Sequence, residues 1–320
     1  MKIIHRAKAS YLVYGAGAIG SVFGGMLAGC GHEVVLVGRK EHMEAVAGEG
    51  LRIAGLLGDH MVEGLVTASS LQDVSRDFEP DAILLSVKSY DTAEAAEDLE
   101  RSGFVGPDTV VVSLQNGLGN VEVLQAKFGP ERVLGGRVIF GAEVTRPASV
   151  EVTVWADRVL LGGRNHVAAR SLAEHFTLCG IETGSTEDIQ VSLWGKVLYN
   201  VGLNPLSAIL EVPYGVLGEQ EQARRILIDL IREAHAVAAA EGRSSWETAD
   251  QYLEVFFGRL LPATESHRSS MLQDIRSGRR TEIEAINGEV IRRGKLRGIP
   301  VPVNEVVYHL VRSKTDLSRT

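Results

Sequence analysis

A short apolar run, Tyr11-Leu12-Val13-Tyr14, passes directly into Gly15-Ala16-Gly17-Ala18-Ile19-Gly20, and an amphipathic stretch follows that ends at Gly29 or Gly31. Gly-x-Gly-x-x-Gly alone is a weak signal, because glycine is common. The order strand, motif, helix constrains the chain far more. The first glycine permits a tight turn, the second lets a pyrophosphate approach the backbone, and the third lets helix and strand pack closely. The N–H groups and positive dipole end of the following helix then face the phosphates. The pattern predicts a dinucleotide-binding unit near the N-terminus, with Gly15, Ala16, Gly17, Ala18, Ile19 and Gly20 as its pyrophosphate turn. The competing reading is a glycine-rich turn with no ligand, which less permissive residues would serve as well.

Around this unit, β-rich runs at 11–14, 34–37, 81–87, 109–114 and 133–139 alternate with helical stretches, which predicts a parallel sheet with crossovers. Segments 150–155 and 158–161 read as a hairpin turning at Ala156-Asp157, adding antiparallel strands at the sheet edge. After Glu187 strand signals nearly vanish. Ile226, Leu230, Ala234 and Val237 recur at helical spacing, as do Ile283, Ile286, Val290 and Ile291. The expected fold class is α/β: an N-terminal Rossmann dinucleotide-binding domain over 1–187 and an all-helical C-terminal domain over 188–320.

A formal charge of -8 disfavours a nucleic-acid surface, and no apolar run approaches a membrane span. The N-terminus has basic residues but no apolar segment behind them, so no signal peptide is expected, and residues 1–9 receive no role. The two cysteines, Cys30 and Cys179, are far apart in sequence and outside any Cys-x-x-Cys pattern. Neither a disulfide framework nor a metal site is expected, and a cytoplasmic location fits. A homodimer is compatible with the sequence, which does not fix the oligomeric state.

An NAD site usually carries Asp or Glu at the end of the second strand. Here Val37-Gly38-Arg39-Lys40 offers no acid until Glu41. Arg39 is suited to a 2′-phosphate, which favours NADP(H), although a solvated surface arginine has the same sequence appearance. Lys88, after the run at 81–87, is equally a second phosphate contact or a surface lysine. Asn116, in Gln115-Asn116-Gly117, suits a nicotinamide ribose or an ordinary Asn-Gly turn.

In the second half, Lys196, Asn200 and Asn204 recur at i, i+4, i+8 within Trp194-Gly195-Lys196-Val197-Leu198-Tyr199-Asn200-Val201-Gly202-Leu203-Asn204-Pro205. They form one polar stripe on an otherwise apolar helix, and such groups need partners or a ligand. Pro205 predicts a kink or an end beside the stripe. Ser270 reads as a helix cap, and Glu282 as an acid in an early helical turn. Spacing alone assigns neither to chemistry.

Taken together, the glycine motif, Arg39, Lys88, Gln115-Asn116-Gly117, Lys196-x-x-x-Asn200-x-x-x-Asn204-Pro205 and Ser269-Ser270-Met271-Leu272-Gln273-Asp274-Ile275 with Glu282 resemble the ketopantoate reductase family. The resemblance implies NADPH-dependent reduction of ketopantoate to pantoate, toward pantothenate and coenzyme A. It implies Lys196 as general acid, and a small 2-keto acid held by Asn200, Asn204, Ser270 and Glu282; Glu282 would also help keep Lys196 charged. It also implies Arg39 and Lys88 at the 2′-phosphate and Asn116 at the nicotinamide ribose. His267 stands where some members carry a substrate-touching asparagine, which bears on which keto acid is used. The alternatives are a reductase of another 2-keto acid, a 3-hydroxyacid dehydrogenase, and a catalytically silent NADP-binding sensor.

Overall fold

A computed structural model describes residues 8–319, so that of the N-terminal segment 1–9 only Lys8 and Ala9 lie inside the described residues. The chain divides into two compact units. One runs to Gln115 and resumes over Asn120–Ile189; the other comprises Asn116–Gly119 and the chain from Gln190.

The first unit begins β1 Ser10–Tyr14, α1 Ala18–Gly29, β2 Glu33–Val37, α2 Lys40–Glu49, β3 Leu51–Gly55, β4 His60–Val62, β5 Val66–Ala68, β6 Ala82–Leu85 and α3 Thr92–Ser102. It continues β7 Val110–Ser113, α4 Asn120–Phe128, β8 Val133–Arg137, β9 Phe140–Arg146, β10 Ser149–Trp155, β11 Val159–Gly162, α5 His166–Leu178 and β12 Thr183–Thr186. Eight strands form one sheet in the order β12-β11-β8-β7-β6-β1-β2-β5. All neighbours are parallel except β11 against β8. β6 reads Ala-Ile-Leu-Leu and β7 Val-Val-Val-Ser, and every residue in both is buried. Such runs are continuous rather than alternating because a parallel sheet is covered on both faces. β1 lies where the strand order reverses, between β2 and β6, so the turns following these three strands share one carboxyl edge.

The expected hairpin over 150–161 does not form. β11 does pair antiparallel with β8 in the large sheet, but β10 belongs to a second sheet of order β4-β3-β10-β9. The hairpin partner of β10 is β9, and the turn is Pro147-Ala148, where Ala148 takes φ 58°. Pro presets the backbone of a turn and the following residue accepts the left-handed conformation, whereas Ala156-Asp157 lacks the Asn-Gly or Gly-X chemistry of a tight hairpin. The pairing is fixed by burial: Val150 and Val152 are fully enclosed, and Phe140 stacks on Trp155 at 5.0 Å. α1 runs between the two sheets. A Cβ on Gly24 would meet Leu36 of β2 at 2.3 Å, and one on Gly25 would meet Ile53 of β3 at 2.6 Å.

The second unit contains α6 Ile189–Leu210, α7 Tyr214–Glu219, α8 Glu221–Ala240, α9 Ala249–Val255, α10 Ser270–Arg276, α11 Asn287–Arg297 and α12 Pro302–Leu317, with no strand among its described residues. The mixed α/β first unit with its parallel sheet, followed by a helical unit, is the expected fold class. Two local expectations are corrected: the helix end allowed at Pro205 does not occur, and Glu282 does not sit in an early α-helical turn. α6 continues through Pro205 to Leu210. Pro205 cannot donate to the Val201 carbonyl, but Asn287, fully buried, donates to it from Nδ2 at 2.9 Å, so the orphaned acceptor is satisfied. Glu282 and Ile283 are not α-helical either. Ile283–Ala285 is a single 3-10 turn, Ile286 breaks the backbone at φ -103°, ψ -91°, and α11 starts only afterwards. The Ala285 carbonyl accepts instead from Leu118 N at 2.8 Å, inside the same unit.

No described helix is long and apolar enough to cross a membrane. The described residues contain no His/Cys/Asp/Glu group arranged for a metal, and Cys30 and Cys179 are free thiols.

Candidate active site

In the first unit the turn after β1 is built by the backbone itself. Gly15 N and Ala16 N both donate to the Val37 carbonyl at 2.9 Å, and Ser86 Oγ donates to the Gly15 carbonyl at 2.9 Å. Gly15 has φ +101°, and a Cβ there would fall 2.4 Å from Val87 N, so the fold itself demands glycine. Gly17 differs. Its backbone is ordinary, at φ -85°, and a Cβ there would meet only the Gly15 carbonyl at 3.9 Å. The protein's own packing therefore does not require glycine at 17. Ala18, Ile19 and Gly20 form the first turn of that helix.

Arg39 caps α2 directly after β2, and its side chain is exposed. Lys88 follows β6, half-buried, three residues beyond the strand's end at Leu85. Since β2 and β6 flank β1, both cations rise from the edge that carries the glycine turn.

In the second unit α6 carries the polar stripe. Lys196 is half-buried, and Asn200 and Asn204 are over nine-tenths buried. Lys196 Nζ donates to Asn116 Oδ1 at 2.5 Å, and Asn116 Nδ2 donates to Glu282 Oε2 at 3.3 Å. Lys196 and Glu282 are thus linked through an amide. Asn116 follows β7 in sequence yet belongs to the helical unit, a placement no sequence spacing reveals.

The lower stripe is bounded by aromatics. Tyr214 OH donates to Asn204 Oδ1 at 2.8 Å, and the His267 ring meets Tyr214 edge-on at 5.2 Å. Burial holds the His267 imidazole below its ordinary pKa, hence neutral near pH 7. The cap of α10 is Ser269, not Ser270. Ser269 Oγ accepts from Leu272 N at 3.0 Å and donates to the Asn204 carbonyl at 3.1 Å, which leaves Ser270 exposed at the first helical position. Sequence reasoning missed Tyr214, which follows Pro213 and reads there as an ordinary core aromatic.

Residues 11–165 match the family described as Ketopantoate reductase PanE/ApbA, and residues 188–315 match Ketopantoate reductase PanE/ApbA C terminal. The chain belongs to the ketopantoate reductase family. It is an oxidoreductase of the 2-dehydropantoate 2-reductase type, whose members work on a pyridine nucleotide. A 2-dehydropantoate 2-reductase of Aquifex aeolicus strain VF5 is 35% identical over 309 residues, covering 95% of this chain and 96% of the relative. The crystal structure of a PanE/ApbA family ketopantoate reductase from Ralstonia eutropha JMP134 is 32% identical, with a TM-score of 0.87 over 97% of this chain and 100% of that one. The ternary structure of D-mandelate dehydrogenase with NADH and anilino(oxo)acetate is 26% identical, with a TM-score of 0.86 over 97% of this chain and 99% of that one.

Proposed function

We propose that the protein is an NADPH-dependent 2-dehydropantoate 2-reductase that converts ketopantoate to pantoate on the route to pantothenate and coenzyme A. The observation that carries this reading is the polar set on α6, where Lys196 is tied through Asn116 to Glu282 and the deeply buried amides Asn200 and Asn204 follow one and two helical turns on. Residues 1–187 hold the nucleotide in this reading, and residues 188–320 hold the keto acid.

Bound NADPH supplies the hydride. The chain orients the carbonyl and stabilises the alkoxide that forms on its oxygen. Lys196 donates a proton from Nζ to that oxygen, and a positioned acid contributes about 10²–10⁴-fold. Asn116 and Glu282 hold the ammonium in place, Glu282 adding an opposite charge. Asn200, Asn204 and Ser270 bind the rest of the keto acid, with His267 at the margin. Gly15, Gly17 and Gly20 with the first turn of α1 bind the pyrophosphate, and Arg39 with Lys88 binds the 2′-phosphate. The bonds of Asn116 to Lys196 and Glu282 support a lysine-holding role in addition to the ribose contact.

A second reading is an NADH-linked reductase of another 2-keto acid. It is favoured by the close likeness to D-mandelate dehydrogenase in complex with NADH, and by His267. Purified protein assayed for NADPH and NADH oxidation against ketopantoate, pyruvate and phenylglyoxylate decides between them. Preferred turnover of ketopantoate with NADPH is expected. Turnover of an aryl keto acid with NADH, and none of ketopantoate, establishes the second reading.

A further inference from the structure

We infer that Tyr214 is a positioning residue that locks the Asn204 amide with Nδ2 as its free donor, and so selects keto acids bearing an oxygen acceptor beyond the carboxylate and the keto group. This rests on the proposed function, in which Asn204 meets the substrate.

An asparagine amide is nearly symmetric in shape, and turning it over exchanges a donor for an acceptor. Asn204 is 6% exposed and Tyr214 3% exposed, so solvent does not average the two orientations. The Tyr214 hydroxyl has Asn204 as its hydrogen-bond partner, at 2.8 Å. If the amide turned over, the hydroxyl would have to accept from Nδ2, and its own proton would be buried with no acceptor, which is costly. Donation from the hydroxyl to Oδ1 avoids this. Burial also pushes the Tyr214 phenol well above its ordinary pKa, so the proton stays on.

The tyrosine is itself fixed. Its backbone N–H donates to the His267 carbonyl at 3.0 Å, and its ring is held edge-on between His267 at 5.2 Å and Tyr199 at 6.2 Å. Tyr199 is anchored in turn by a 2.5 Å bond between its hydroxyl and Thr264 Oγ1. With Oδ1 engaged by Tyr214, Asn204 Nδ2 has no acceptor among the described residues, yet it is not sealed off. The stripe therefore presents a fixed donor one turn beyond Asn200. A site built to bond an oxygen discriminates strongly against analogues that lack it. His267 acts on this selectivity through the Tyr214 ring, which it meets edge-on.

The test compares kcat/KM for ketopantoate with that for the same acid lacking its 4-hydroxyl, in wild type, Tyr214→Phe, Asn204→Ala and Asn204→Asp. Asn204→Ala is expected to cut the preference for ketopantoate at least about tenfold. Tyr214→Phe is expected to cut it by a similar factor, through a raised KM for ketopantoate, while the deoxy acid changes less than about threefold. Asn204→Asp keeps an acceptor for Tyr214 but replaces the donor by oxygen, and is expected to lose the preference as fully as Asn204→Ala. That arm holds even if Tyr214→Phe fails to fold, which a thermal melt reports. If Asn204→Ala changes the preference and Tyr214→Phe, folded, does not, the positioning role is overturned while the proposed function stands. An unchanged preference in Asn204→Asp also overturns it. If Asn204→Ala is silent, Asn204 does not meet the substrate hydroxyl and the inference falls, whereas the proposed function falls only if the wild type does not turn over ketopantoate with NADPH.

Discussion

Lys196 Nζ donates to Asn116 Oδ1 at 2.5 Å, across 80 residues of sequence. This bond gives the lysine a defined position on a helix whose neighbouring residues, Val197 and Leu198, are fully buried. A cation held in place and only half-buried is suited to donate a proton to a substrate oxygen.

Replacing Lys196 by Ala is expected to lower kcat by at least about 10²-fold, the lower bound for a lost positioned acid. NADPH affinity, measured by fluorescence titration, should stay near the wild-type value, because the glycine turn lies in the other unit. Near-normal turnover would return Lys196 to the status of an ordinary surface lysine.

Arg39 follows β2 where an NAD site would place an acid, and it is exposed with no ion pair among the described residues. Arg39→Ala is expected to weaken NADPH binding by about 1.5–3 kcal/mol, the range for hydrogen bonds to charged groups. NADH binding should be almost unaffected. Isothermal titration with both nucleotides checks this, and equal losses for the two would remove the 2′-phosphate argument.

The parts of the fold that were legible in sequence share a physical cause. β1, β2, β6 and β7 are largely continuous apolar runs because both faces of a parallel sheet are covered, and Gly15 has a backbone conformation and a close approach that only glycine meets. β9 leaves little trace: it reads Phe-Gly-Ala-Glu-Val-Thr-Arg and its last four residues are exposed, so the local pattern points to β11 rather than β9 as the partner of β10. The α6 stripe was visible because Lys, Asn and Asn interrupt an apolar helix at a fixed period. The partners of that stripe were not. Asn116, Tyr214 and Asn287 reach it through tertiary contacts that no local periodicity encodes, and Asn287 removes the penalty that made Pro205 look like a helix end.

That compensation is measurable. Asn287→Ala removes the donor to the Val201 carbonyl, and an unsatisfied buried acceptor costs about 1–3 kcal/mol. Pro205→Ala restores a backbone N–H able to bond the same carbonyl. The cost of Asn287→Ala is therefore expected to be smaller in the Pro205→Ala background. Urea denaturation of the two single variants and the double variant gives the coupling. Strict additivity would show that Asn287 acts through Asn304, its other partner at 3.0 Å, and not through the proline.

The last expectation concerns pH and three histidines of the first unit. His32 Nδ1 accepts from Ala9 N at 3.2 Å, and His42 Nδ1 accepts from Ala148 N at 3.2 Å. Both rings must therefore be neutral at that nitrogen, and protonation would set an N–H against an N–H. Burial holds His32 below its ordinary pKa, with His175, stacked on it at 5.2 Å, and Lys8 lowering it further. Burial, then Arg39, does the same to His42; burial also lowers His175, which meets Tyr11 OH at 2.7 Å. A lowered folded-state pKa means that the unfolded chain binds protons first. Their effect on stability is absent above the ordinary value of 6.5, and stability falls as the pH drops from there toward the lowered folded values. Thermal melts from pH 7.5 down to about 5 should show this decline before most carboxylates titrate. His42→Gln should flatten part of the slope, at some cost in stability at neutral pH. An unchanged slope in that variant would mean that His42 is already charged in the folded state, in conflict with its bond to Ala148.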